Sequence, residues 1–280
     1  MKTAEGLTAE DLTAGVDVQK KKGITGSTLK IIAIVAMFID HFAAIVMDRY
    51  LLSVGFYVQG NGMIQGIDPN VANGMLIYGI NLALRLIGRI GFPIFCFLLI
   101  EGFIHTRCRW KYLLRLSVFA LISEIPFDLA FGFMGHSYQN VFFTLSIGFA
   151  VIWGIDAATG YIERKIQKKS KDVRQIIIAI VITAIGFLVA EALHTDYSGM
   201  GVLTIAVMYW LHKYQSKVSS MVGGCIVLTI SSVMEASAFA TVPLISKYNG
   251  ERGLKLKYIF YLFYPVHILF WHLICLWMGI

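Results

Sequence analysis

The most constraining feature of this chain is a series of long apolar runs separated by short segments rich in Lys and Arg. A transmembrane helix needs about 20 mostly apolar residues, and lipid offers no partners to unsatisfied backbone groups. The runs are too long and too apolar for barrel strands. The sequence therefore predicts an all-α, polytopic transmembrane helix bundle of about nine spans, with eight or ten as alternatives. The runs cover 28–47, 75–104, 112–132, 139–160, 174–194, 200–213, 219–235, 236–247 and 257–279.

Composition and charge agree with a membrane protein. The chain is 57% hydrophobic and 15% charged, against roughly 25% charged in soluble proteins, which excludes an ordinary cytosolic enzyme. With a cytoplasmic N-terminus and nine crossings, 21 of the 24 Lys and Arg residues lie on the cytoplasmic side, as the positive-inside rule requires. Eight crossings would leave the basic segment 247–257 outside. The formal net charge of +7 therefore reflects orientation, and no nucleic acid partner is needed to explain it.

The chain divides into a polar tail and one membrane domain. Residues 1–27 lead into the first run without a small-residue cleavage site, which predicts a cytosolic tail rather than a cleaved signal peptide. Residues 28–280 contain no linker and are predicted to form a single transmembrane domain. The Gly-rich segment 48–74 is predicted to be an irregular outer loop. The four cysteines lack CxxC spacing, so neither a disulfide framework nor a thiolate metal site is expected.

Ionisable residues lie inside several predicted spans, where each charge costs roughly 2.5–3.5 kcal/mol or more. The predicted topology places one group in the outer half of the membrane and another at the inner end, joined by a helix that Pro93 should kink. This arrangement predicts a polar path across the membrane. The outer group contains Asp40, His41, Arg85, Arg89, Glu124 and Asp128, and the inner group contains Glu101, His105, Arg107 and Arg109.

The outer group has the residue types of a catalytic site. A His next to an Asp suits general-base chemistry, because its pKa near 6.5 lets it take a proton at neutral pH while a carboxylate orients the ring. The two Arg residues suit a phosphate or carboxylate. A structural interpretation of each stays open, in which Asp40 and His41 form an interhelical hydrogen bond and the Arg pair holds Glu124 and Asp128. His267 and His272, five residues apart, are weak metal ligands, and no metal is predicted.

Several stretches of the chain resemble one known family. The similarity runs in order from about residue 28 to 275, and the chain is identified as a member of the TraX family, whose founding member is the conjugative pilin acetylase. A weaker similarity extends to other multi-span membrane acyltransferases. The matching stretches are 29–33, 39–41, 87–95, 101–107, 112–116, 123–127, 139–145, 196–199, 248–253 and 260–267.

The resemblance implies an acetyl-CoA-dependent N- or O-acetyltransferase in the bacterial inner (cytoplasmic) membrane. Acetyl-CoA would act as a co-substrate from the cytosol, and the acceptor would be the amine or hydroxyl of a peptide N-terminus, a glycan or a lipid headgroup. His41, oriented by Asp40, would act as general base, with Arg89, Asn140 or Tyr264 stabilising the oxyanion. The expected acetyl-CoA-binding residues are Glu101, His105, Arg107, Arg109, Lys111 and Arg252.

Two other classes of function remain compatible with the residues. Buried carboxylates and histidines also form proton relays, so a proton-coupled small-molecule transporter is the main alternative. The sequence contains neither an inverted repeat nor paired broken helices to favour it. A scaffold or assembly factor is the third possibility, in which the buried charges only fix helix packing.

Overall fold

The computed structural model of the chain describes residues 22–60, 63–132, 138–166, 173–254 and 257–280. Within these ranges the fold is helical apart from one antiparallel hairpin. The helices are α1 Gly26–His41, α2 Asp48–Ser53, α3 Gly74–Gly88, α4 Gly91–His105, α5 Arg109–Phe131, α6 Val141–Ile166, α7 Val173–Ala192, α8 Ser198–Tyr214, α9 Lys217–Ser231, α10 Val242–Ser246 and α11 Lys257–Met278. A π-helical turn Phe42–Met47 joins α1 to α2, a 3-10 helix Val233–Thr241 precedes α10, and the strands are β1 Tyr57–Gly60 and β2 Met63–Ile67.

Five apolar helical segments of the described chain are long enough to cross a membrane, and they confirm the predicted helical membrane protein. These five segments are fewer than the nine predicted spans. Helix α5 is not counted because it carries the charged residues Arg115, Glu124 and Asp128, and α8 and α9 are not counted because they have only 17 and 15 residues. The five segments are Gly26–Ser53, Gly74–His105, Val141–Ile162, Val173–Ala192 and Ile259–Met278.

Large apolar side chains cover the outside of these segments. On α11 the exposed residues recur every three or four positions, which marks one helix face. The opposite face of α11 carries Tyr264, His267 and Cys275, all buried. In water such an apolar surface would promote aggregation, whereas in a membrane it contacts lipid chains. The exposed positions that recur at this spacing on α11 are Leu262, Val266, Leu269, Leu273 and Leu276, and Ile259, Phe270, Trp277 and Met278 are exposed as well.

The segment between α9 and α10 turns back on itself. Lys217 Nζ, at the start of α9, donates a hydrogen bond to the carbonyl oxygen of Tyr248, which follows α10. The two ends therefore lie together, and the chain between them reverses near Glu235 in the 3-10 helix. This path puts the described part of the basic segment 247–257 at the same end of the bundle as the start of α9.

The loop after α10 is joined to the start of α1 by backbone hydrogen bonds. The N–H groups of Ile24, Gly26 and Ser27 donate to the carbonyl oxygens of Lys247, Glu251 and Arg252 at 2.8–2.9 Å. The hydroxyl of Thr25 accepts a hydrogen bond from the Thr28 N–H at 3.3 Å and caps α1. Two segments more than 220 residues apart thus form one end of the bundle.

One local expectation needs correction. The segment 48–74 was expected to be irregular, but it contains α2 and the hairpin β1–β2, in which Tyr57 pairs with Ile67. The kink predicted from Pro93 is present as a break in the helix at Arg89 and Ile90, between α3 and α4. A proline ring clashes with the carbonyl group of the residue four positions earlier, which for Pro93 is Arg89. Most of the predicted tail, residues 1–21, lies outside the described residues.

Candidate functional site

A cavity of about 750 Å³ lies between α1, α3, α4, α5, α6 and α11. One end opens where α1 and α11 begin and α4 ends. We name that end the basic mouth, because Lys30, Arg115 and Arg252 line it. The other end, the deep end, is lined by Asp40 and His41 from the C-terminal part of α1, together with Arg85, Arg89, Asp196, Tyr197 and Tyr264. The cavity thus connects residues of both polar groups predicted from the sequence.

The two histidines of the deep end form a direct pair. His41 Nδ1 lies 2.5 Å from His267 Nε2, and His267 Nδ1 lies 2.7 Å from the carbonyl oxygen of Phe263, one turn earlier on α11. The edge of the Tyr264 ring faces His41, with 6.0 Å between ring centroids. The π-helical turn begins at the residue after His41, and such turns are frequent at functional sites.

Asp40 faces α3 and does not contact the His41 ring. Its Oδ2 forms an ion pair with Arg85 Nη1 at 2.5 Å, and its Oδ1 is buried without a hydrogen-bond partner among the described residues. Arg89 Nη1 forms an ion pair with Glu235 Oε1 at 3.0 Å. The open alternative that paired the arginines with Glu124 and Asp128 is therefore wrong, as is the orientation of His41 by Asp40.

Tyr264 is placed to act at the deep end. Its side chain is buried, and its hydroxyl proton has no acceptor among the described residues. Asn140, the other neutral candidate for the oxyanion, does not line the cavity in the described structure. Its Nδ2 donates to the carbonyl oxygen of Ala120 at 2.8 Å and to Glu124, while its Oδ1 accepts from the Phe142 N–H at the start of α6. Asn140 is thus engaged in joining α5 to α6.

Asp196 and Tyr197 are residues of the deep end that were not among the predicted site residues. They lie in the loop between α7 and α8, and Tyr197 stacks on Phe92 with ring centroids 3.8 Å apart. Burial raises the pKa of Asp196 to about 6, although Arg89 nearby acts in the opposite direction. The sequence could have identified both as site residues, because residues 196–199 are one of the stretches that resemble the TraX family.

Glu101 joins several elements midway along the cavity. Its Oε1 accepts from His212 Nε2 at 3.0 Å, and its Oε2 accepts from the Tyr248 hydroxyl at 2.9 Å. His105 Nε2 lies 3.8 Å from the same Oε2, as the spacing of four residues on one helix face allows. Burial and the Glu101 carboxylate raise the pKa of Tyr248, which lies outside the five spans. Glu101 and His105 both line the cavity.

The cations of the basic mouth are free of acidic partners. Lys30, Arg115 and Arg252 form no ion pair with any described residue. By contrast, Arg109 Nη2 forms an ion pair with Asp156 at 2.8 Å and its guanidinium lies 4.1 Å from the ring centroid of Phe103. Three predicted acetyl-CoA-binding residues, Arg107, Arg109 and Lys111, are missing from the described lining of the cavity. The described residues contain no group of three His, Cys, Asp or Glu side chains suited to a metal ion.

The fold and the cavity define a multi-span α-helical membrane protein with a chamber inside the bundle whose lining includes ionisable residues. A family model described as TraX protein matches residues 25–275, and the chain therefore belongs to the TraX family. A probable fimbrial assembly protein FimC, serogroup H1, from Dichelobacter nodosus is 26% identical over 259 residues, covering 86% of this chain and 91% of the relative. No solved structure matches the chain.

Proposed function

We propose that this protein is a membrane acetyltransferase that moves an acetyl group from cytosolic acetyl-CoA to an amine or hydroxyl acceptor. The observation that carries the proposal is one cavity that joins His41 at the deep end to three cations at the basic mouth, none of which has an ion pair among the described residues. A polyanionic donor with a long arm fits such a chamber, because its phosphates need cations and its reactive end needs a base.

The donor half of the proposal rests on the basic mouth. Lys30 and Arg115 are half-buried, Arg252 is exposed, and all three lack ion pairs within the described structure. The CoA phosphates would form charge-assisted hydrogen bonds with these side chains. Glu101, one turn before the end of α4, lines the wall farther in, where the arm of the donor would pass, and His105 lies at the mouth as the last residue of α4.

The chemical step uses the deep end. His41 accepts a proton from the attacking amine or hydroxyl while a bond forms between that atom and the thioester carbonyl carbon. The Tyr264 hydroxyl donates a hydrogen bond to the developing oxyanion. The carbon–sulfur bond then breaks, the carbonyl re-forms, and the CoA thiolate takes the proton from the His41 imidazolium. No acyl-enzyme is required.

The acceptor is the least specified part of the reaction. The relative from Dichelobacter nodosus is named a fimbrial assembly protein, which makes a peptide with a free α-amine the first acceptor to test. An amino sugar and phosphatidylethanolamine vesicles represent the glycan and lipid classes.

The experiment measures transfer of a labelled acetyl group from acetyl-CoA to each of these three acceptors, using purified protein in detergent. His41→Ala should lower the rate by about 10²- to 10⁴-fold, the usual contribution of a positioned general base, with acetyl-CoA binding retained. His272→Ala is the matched control, because His272 is on α11 and away from the described cavity lining.

Each rival function predicts a different result. Unchanged transfer by His41→Ala defeats the role of this histidine, and absence of acetyl-CoA binding in the wild type defeats the acetyltransferase. Proton-coupled flux in liposomes without any acyl donor would instead identify a transporter. An assembly factor would lose stability on substitution of His41 but would show no turnover at all.

A further inference from the structure

The hydrogen bonds of the histidine pair fix which ring nitrogens carry protons. A carbonyl oxygen can only accept a hydrogen bond, so His267 Nδ1, at 2.7 Å from the Phe263 oxygen, carries a proton. In the neutral imidazole of His267, Nε2 is then an acceptor. His41 Nδ1, at 2.5 Å from that Nε2, must therefore be the donor.

The neutral form of His267 is the one that its surroundings favour. The side chain is 3% exposed, and its described hydrogen bonds and ring contacts are to the carbonyl and ring of Phe263, to His41, Phe38 and Tyr264, none of which is an acid. A charged imidazolium would be desolvated here without a carboxylate partner among the described residues.

The two rings are arranged for an in-line hydrogen bond rather than for face-to-face stacking. Their centroids are 4.8 Å apart and their planes differ by 20°. His41 Nδ1 and His267 Nε2 are 2.5 Å apart, so both nitrogens lie close to the line that joins the two ring centroids. The N–H bond of one ring therefore points along the nitrogen lone pair of the other ring. His41 Nε2 then faces away from His267, on a ring that lines the cavity.

We propose that His267 is a positioning residue that holds His41 in the tautomer with a proton on Nδ1 and a free lone pair on Nε2. His41 Nε2 is thus the atom that takes the acceptor's proton. The kinetic consequence rests on the proposed acetyltransferase function, whereas the tautomer does not. The relay Phe263 carbonyl, His267, His41 performs the task for which many enzymes use a carboxylate.

Three substitutions at His267 separate its two hydrogen bonds. In His267→Gln the amide oxygen can accept from His41 Nδ1 in place of ring Nε2. In His267→Asn the shorter amide can still donate to the Phe263 carbonyl but does not reach His41. His267→Phe keeps a ring in the cavity wall and removes both hydrogen bonds.

Two measurements are made on each purified variant. Nitrogen-15 spectra of histidine-labelled protein, assigned through His41→Gln, report which His41 nitrogen carries the proton. Steady-state kinetics report kcat and the KM for acetyl-CoA. We expect the Nδ1–H tautomer in the wild type and in His267→Gln, which should keep its rate within about tenfold. His267→Asn and His267→Phe should lose roughly a hundredfold or more in kcat with KM unchanged.

The control and the refuting outcomes are distinct. His272→Gln, five residues later on α11, should change neither the spectrum of His41 nor kcat. An Nε2–H tautomer of His41 in the wild type overturns the inference, as does a His267→Phe protein with unchanged tautomer and rate. If the wild type transfers no acetyl group, the proposed function fails and the spectra alone decide the tautomer. If His267→Phe does not fold, the wild-type, Asn and Gln spectra decide it.

Discussion

Neutralising Arg252 should weaken acetyl-CoA binding through the loss of one phosphate contact. A hydrogen bond to a charged group contributes about 1.5–3 kcal/mol. Arg252 is exposed, so water and salt screen it and the lower end applies. Arg252→Gln should therefore cost about 1.5 kcal/mol, which is slightly more than tenfold in Kd. Adding Lys30→Gln, at a half-buried position on the same wall, should bring the loss to about a hundredfold.

The assay is calorimetric titration of the detergent-purified protein with two ligands. Acetyl-CoA carries the phosphates, whereas S-acetylpantetheine carries the same thioester arm without them. The Arg252→Gln substitution should weaken binding of acetyl-CoA and leave binding of S-acetylpantetheine unchanged. Raising the salt concentration should reduce the difference in Kd for acetyl-CoA between the wild type and the variant, because salt screens the attraction between Arg252 and the phosphates.

Matched controls exist at the same end of the bundle. Arg107 and Lys111 are exposed cations that the described cavity lining does not include, so Arg107→Gln and Lys111→Gln change the net charge equally without touching the mouth. Both should bind acetyl-CoA like the wild type. Equal weakening by the controls and by Arg252→Gln would falsify the assignment of the basic mouth and point to a general electrostatic effect.

Three further predictions follow from single contacts. Gly88→Ala should destabilise the protein by about 1–3 kcal/mol, because a Cβ at this position would lie 2.3 Å from the Asp40 side chain. The control is Gly79→Ala on the same helix, where a Cβ meets no atom within 4 Å, and thermal unfolding in detergent compares the two variants. Tyr264→Phe should lower kcat by about 10²- to 10³-fold at constant KM, and an unchanged kcat would remove the hydroxyl from the mechanism. Because the pKa of Asp196 is raised to about 6, the free energy of unfolding of the wild type should fall as the pH rises from about 4 to 6. Asp196→Asn should lack this fall and should be more stable than the wild type by at most about 3 kcal/mol at pH 8. Parallel curves of stability against pH for the two proteins would contradict the raised pKa.

The sequence predicts the class of fold well because lipid imposes strong rules on it. Apolar run length and the distribution of Lys and Arg predict a helical membrane protein, and the described helices agree. The same rules say little about partners between helices. Asp40 and His41 are neighbours in the chain, but successive residues on a helix point about 100° apart, so Asp40 contacts Arg85 on α3 while His41 contacts His267 on α11.

The cations of the basic mouth could not be identified from their positions in the sequence alone. Arg107, Arg109 and Lys111 were expected to bind acetyl-CoA because they follow the inner end of a span. The start of α5 turns Arg109 toward Asp156 on α6 instead. Arg115 lies farther along α5 and reaches the cavity, and the mouth forms only because the loop carrying Arg252 pairs with the start of α1. Such long-range backbone pairing leaves no local pattern.

The single helix α1 carries both ends of the proposed site and therefore sets the length of donor that it can serve. Gly26 lies at the mouth, held by the Glu251 carbonyl, and His41 is the last residue of the helix. At 1.5 Å per residue the two are about 22 Å apart. A compact donor such as acetyl phosphate cannot occupy the anchoring cations and reach the base at once. The length of α1 thus favours a donor whose phosphates and thioester lie far apart in the same molecule.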